Sequence, residues 1–113
     1  MATYQLPHHK LIAYEVAKEL LVAVKEAHVS DAGLRDQAMR SAKSACLNCS
    51  EGAGRVTRAD KARVFAIARA EASETAAAVE IAALSGDASE ENLVRVTSIA
   101  NRLVAMLTGL IRR

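Results

Sequence analysis

Cys46 and Cys49 come first among residues with chemical potential, since two thiols separated by two residues can cycle to a disulfide or hold a metal. A redox pair of this spacing works from an exposed helix start beside a strand. Here the two thiols fall in mid-helix on an apolar stripe, so the spacing predicts small core side chains. A di-iron bundle needs Glu-x-x-His on two helices, with carboxylate and imidazole turned inward together, and that pair occurs nowhere. His8 and His9 precede or open the first helix and His28 closes it, which leaves no metal-ligand cluster. Glu51 and Arg55 lie four apart, but no nucleophile or base joins them. Gly52-Ala53-Gly54 lacks the strand, the spacing and the Lys of a phosphate-cradling loop. The expectation is a non-enzyme with no metal, no cofactor and no small-molecule substrate.

One constellation remains. At 100° per residue, Gln37, Arg40, Ser44, Asn48, Glu51 and Arg55 share one arc of the second helix, almost opposite the cysteines. Glu51 with Arg55, and Ser44 with Asn48, are spaced for side-chain pairing along a helix. Such a ladder is either an ordinary wet face or a network destined for an interface, where every polar member needs a partner.

Four periodic segments must position these residues. The first runs from about Pro7 to about His28 on the stripe Ala13, Val16, Leu20, Ala23 and Ala27. Ser30 or Asp31 can cap the second, whose seam is Met39, Ala42, Cys46, Cys49 and Ala53, with Gly52 and Gly54 loosening its end. Thr57 with Asp60 forms a partial capping box for the third, seamed by Phe65, Ala68, Ala72, Thr75, Val79 and Ala82. Ser89 caps the fourth, seamed by Leu93, Val96, Ala100, Leu103, Leu107 and Leu110. Segments of roughly 20 residues joined by short loops predict an all-α, antiparallel up-down-up-down four-helix bundle. Ile99 and Met106 widen the apolar face of the fourth helix, which predicts a covering partner, most simply a second copy.

The 113 residues suit one domain, 1–113, rich in helix formers. No apolar run approaches the roughly 18 residues of a membrane span, and the start lacks a basic region followed by a greasy stretch, so a cytoplasmic protein without a membrane partner is expected. The net charge is only +2. Residues 35–69 nevertheless hold eight basic against three acidic side chains, and Arg55, Arg58, Lys61 and Arg63 are the candidate nucleic-acid contacts. Stacking aromatics are missing from that stretch, which argues against a single-strand platform.

The pattern Gln37-x-x-Arg40-x-x-x-Ser44-x-x-x-Asn48-x-x-Glu51-Gly52-x-Gly54-Arg55 resembles the signature of the 23S rRNA-intervening sequence protein family, four-helix-bundle proteins first noticed as open reading frames within bacterial 23S ribosomal RNA genes. Lys10-Leu11 with Ala17, Ala68-Arg69 with Glu74, and Met106-Leu107-x-x-Leu110-Ile111 extend the likeness over nearly the whole chain. Cys49-Ser50 and Ala70-Glu71 stand where the family usually has Ile-Ala and Gly-Ser, and Cys46-Leu47 lacks its common proline. The resemblance implies a ring-like homo-oligomer, typically a pentamer, without catalysis, in which Gln37, Arg40, Ser44, Asn48, Glu51, Gly52, Gly54 and Arg55 form the family motif and interface. A related, strongly basic branch serves diversity-generating retroelements by binding a reverse transcriptase and nucleic acid, which supplies the alternative expectation of a nucleic-acid-binding accessory.

Overall fold

A computed structural model describes residues 6–113, in which four helices follow a short 3-10 turn and no strand occurs. Tyr4 and the rest of residues 1–5, part of the segment read for a targeting signal, lie outside the described residues. The helices are α1 (Ile12–Glu26), α2 (Ala32–Gly54), α3 (Arg58–Leu84) and α4 (Glu90–Arg112).

Local chemistry explains where each begins. The Asp31 carboxylate accepts the Leu34 amide at 2.9 Å, Thr57 accepts that of Asp60 at 3.1 Å, and Ser89 accepts that of Asn92 at 3.1 Å. Asp31 rather than Ser30 is thus the cap of α2, and the Ser30 hydroxyl instead donates to Asp87 at 2.9 Å, tying two loops together. The expected start of the first helix is corrected. Pro7–Lys10 forms a separate 3-10 turn with the proline in its first positions, and Leu11 is extended before α1 begins. His8, His9 and Tyr14 group their rings at this break, with centroids 4.1 Å apart for the histidines and 4.8 Å for His8 and Tyr14. The helices are also unequal, at 15, 23, 27 and 23 residues, rather than matched.

Cross-helix contacts pair residues in opposite chain directions. Glu19 meets Arg102 and Glu26 meets Arg95 between α1 and α4. Arg58 donates to the Arg112 carbonyl and Arg69 to Thr108 between α3 and α4. Between α2 and α3, Ser41 meets Thr75 while Gly52, further along α2, lies against Phe65, earlier in α3. The result is a flattened bundle of 44 × 35 × 21 Å with α2 most closely packed on α3.

The core follows the periodic stripes. Every seam residue named for α1 and α3 is buried, as are Ala42, Cys46 and Cys49 of α2 and Val96, Ala100, Leu103 and Leu107 of α4. Ile99 and Met106 are half-buried against that core, so neighbouring helices cover much of the width assigned to a partner. By length and composition α4 could also cross a membrane, contrary to the reading that no run is apolar enough. Val96, Ala100, Leu103 and Leu107 turn into the core, while Val94 is exposed beside Arg95, Asn101 and Arg102.

Candidate interaction surface

The α2 ladder lies on the outside of the bundle. Gln37, Arg40 and Glu51 are exposed, and Ser44, Asn48 and Arg55 are half-buried. Their hydrogen bonds run mainly along the helix. Asn48 Nδ2 donates to the Ser44 carbonyl at 2.9 Å and its hydroxyl at 3.1 Å. Gln37 reaches Glu74 of α3 at 3.5 Å, at the outer limit of a hydrogen bond. Arg40 forms no ion pair among the described residues.

At the other end of the ladder, Arg55 bridges Glu51 and Asp60 at 3.3 Å each, and Asp60 also holds Arg63 at 2.9 Å. The hydrogen bond from Arg63, with the nearby Arg55 charge, holds the Asp60 carboxyl below the usual carboxylate range. Lys61 donates to the Ala53 carbonyl at 2.8 Å and the Gly52 carbonyl at 3.4 Å, closing the end of α2. Arg58 donates to the Arg112 carbonyl at 3.2 Å. The four candidate phosphate contacts do gather at one end of the molecule, but each already spends donors within the chain.

The motif glycines divide in role. A Cβ built on Gly52 would stand 2.6 Å from Cε1 of Phe65, so this glycine lets the α3 ring lie directly on the α2 backbone. It does not loosen the helix, which continues to Gly54, and a Cβ on Gly54 would meet open space. The spacing Ala45, Cys49, Gly52 along the buried side of α2 carried the signal, since a glycine in a seam of small residues marks a close approach.

The motif residues are therefore of two kinds, a packing glycine and an outward polar ladder, set on a four-helix scaffold. The sequence profile of the 23S rRNA-intervening sequence protein family matches residues 9–109. The chain belongs to that family. The match reaches from the 3-10 turn almost to the end of α4, so the family pattern encompasses the bundle rather than the α2 motif alone. A comparison with curated proteins found no match.

Two features of this family member were not read from the ladder. Ser41 and Thr75, both buried, share a hydrogen bond of 2.8 Å between α2 and α3, in which one hydroxyl donates to the other and the accepting one donates to a carbonyl of its own helix, Ala38 for Ser41 or Glu71 for Thr75. The α3 periodicity placed Thr75 inward, but Ser41 looked like one more polar residue beside the ladder. The second feature is the outer side of α3, where Ile67, Ile81 and Leu84 are 42%, 49% and 84% exposed. Leu47 of α2, in the midst of the ladder, is 70% exposed.

The thiols are core residues. Cys49 is fully buried, and burial with the adjacent Cys46 thiol pushes its pKa up to about 12. Burial also raises that of Cys46, with the Lys18 charge opposing. A thiol so poised is a poor nucleophile at neutral pH. Among the described residues no group of three or more His, Cys, Asp or Glu is placed to hold a metal ion.

Proposed function

We propose that this family member is a non-enzymatic structural or interaction module that assembles into a ring-like homo-oligomer, with five subunits as its resemblance implies. The observation that carries this reading is the uncovered apolar side of α3. In one chain α3 leaves Ile67, Ile81 and Leu84 facing water beside exposed Ala66, Ala70 and Ala77, with Arg63, Glu74 and Glu80 among them. Fully burying an exposed aliphatic side chain is worth about 1.5–3 kcal/mol, of which the half-exposed Ile81 has about half still to gain. The α2 ladder, with Leu47 rimmed by Arg40, Ser44, Asn48 and Glu51, supplies the apolar centre and polar border common in protein interfaces. The commitments of Arg55, Lys61 and Arg63 within the chain place a nucleic-acid accessory role second.

Light scattering on the full chain tests this. A mass several-fold above the 12.0 kDa subunit is expected. Ile67→Glu with Ile81→Glu should reduce it towards one subunit while helix content is retained, whereas Val22→Glu on α1 leaves it unchanged. A monomer at micromolar concentration overturns the reading.

A further inference from the structure

The bundle sorts its charges to opposite ends. Where α1 and α3 begin and α2 and α4 finish, Lys10, Arg58, Arg63, Arg112 and Arg113 are exposed. The side-chain carboxylates there, Glu15, Glu51 and Asp60, are already paired with Lys18, Arg55 and Arg63. At the opposite end, where α1 and α3 finish and α2 and α4 begin, Asp31, Asp36, Glu80, Glu90 and Glu91 are exposed, and none joins an ion pair among the described residues. Arg95 at that end is taken by Glu26, leaving Lys25 and Arg35 to oppose them.

Helix-end preference accounts for only part of this sorting. Acids suit the N-termini of helices and bases suit the C-termini. That rule explains Glu90 and Glu91 at the start of α4 and Arg112 at its end. In α3 it is met only by Asp60 in the first turn: Arg58 and Lys61 stand beside it there, no base stands in the last turn, and Glu80 lies near the end. The start of α1 is likewise preceded by His8, His9 and Lys10. Within α1 the dipole rule still holds, with Glu15 in the first turn and Lys25 in the last, so the sorting by end rests on α3, α4 and the segment before α1.

We infer that the basic end of one copy docks on the acidic end of another, so that subunits or their rings associate end to end. The ends lie on a body 44 Å long. The Debye length is about 10 Å at 0.1 M salt, so the two ends of one molecule are screened from each other and each acts on whatever touches it. The two surfaces differ, so the contact is heterologous and repeats along a line unless it closes. The inference does not depend on the α3 interface, because single subunits and rings both retain these ends.

The test is sedimentation of the full chain between about 10 mM and about 1 M salt, where the Debye length falls from about 30 Å to about 3 Å. Species several-fold heavier are expected at low salt, returning at high salt to a fixed mass. Glu90→Lys with Glu91→Lys gives a chain basic at both ends, and Arg112→Glu with Arg113→Glu removes the complementary charge from the other end. With circular dichroism showing each pair folded, each alone should lose the low-salt growth, and mixing the two should restore it. A mass independent of salt, charge-reversed chains that grow like the parent, or a mixture that stays dissociated overturns the inference. So does a basic end that retains RNA at low salt while the chain itself stays dispersed. Loss of the high-salt assembly alone bears instead on the α3 interface.

Discussion

The α1–α4 pair and the α2–α3 pair solve the problem of joining two helices in different ways. Between α1 and α4 the buried residues include bulky aliphatics, Val16, Leu20 and Val24 on one side and Val96, Leu103 and Leu107 on the other. Outside them, Glu19–Arg102 at 2.6 Å and Glu26–Arg95 at 2.7 Å cross between the helices in solvent. Between α2 and α3 the buried side of α2 is Ala38, Ser41, Ala42, Ala45, Cys46, Cys49 and Gly52, all small, and Phe65 fills the space over the glycine. Small side chains let the axes approach and make the contact sensitive to single atoms, while bulky flexible ones can repack. The tightly fitted pair is also the one with an apolar outer side, as befits a rigid platform for further contacts.

The sharpest way to break this contrast is Gly52→Ala. Its methyl would overlap the Phe65 ring, so a loss of about 1–3 kcal/mol in chemical denaturation is expected, despite the better helix propensity of Ala. In a Phe65→Leu background the same change should cost much less. Leu20→Met in the α1–α4 pair should cost less than about 1.5 kcal/mol, as volume-conserving core changes do. Equal penalties for Gly52→Ala in both backgrounds would show that the ring contact is not what the glycine serves.

The seam and caps were legible because periodicity and capping are local properties. Val16 and Leu20, Phe65 and Ala68, and Leu103 and Leu107 recur at the helical repeat, and Thr57 and Ser89 stand directly before their helices. Features that depend on a distant partner were not legible. Gly52 looks like a helix loosener until Phe65, thirteen positions on, is found lying over it. The break at Leu11 was hidden because Pro7 suits the first turn of an α-helix as well as that of a 3-10 turn. The ladder was read on one side of α2, and surplus apolar surface was assigned to α4. Val94 of α4 is exposed, but α3 also leaves Ile67, Ile81 and Leu84 outward, and these were overlooked beside a strong inward seam.

A smaller effect is expected from the buried hydroxyl pair, which separates packing from hydrogen bonding in the α2–α3 contact. Ser41→Ala removes one side of the 2.8 Å bond but leaves Thr75 its Glu71 carbonyl, and Thr75→Val leaves Ser41 its Ala38 carbonyl. Each change should cost about 1 kcal/mol, and the double variant should cost less than the two together, because neither hydroxyl then remains to seek the other. Strict additivity in a denaturation cycle would mean that the pair contributes through shape alone.

The smallest effect belongs to the ion pairs spanning α1 and α4. Both partners of Glu19–Arg102 are about half exposed, 53% and 50%, so water and salt compete with the contact despite its short distance. Glu19→Gln, like Glu26→Gln, should therefore lower stability by no more than about 0.2–1 kcal/mol at low salt, with the difference vanishing near 1 M salt. If Glu19→Gln instead cost as much as Gly52→Ala, and did so at high salt, the charged clasp would be structural, and the contrast between a repackable aliphatic pair and a closely fitted small-residue pair would fail on its weaker side.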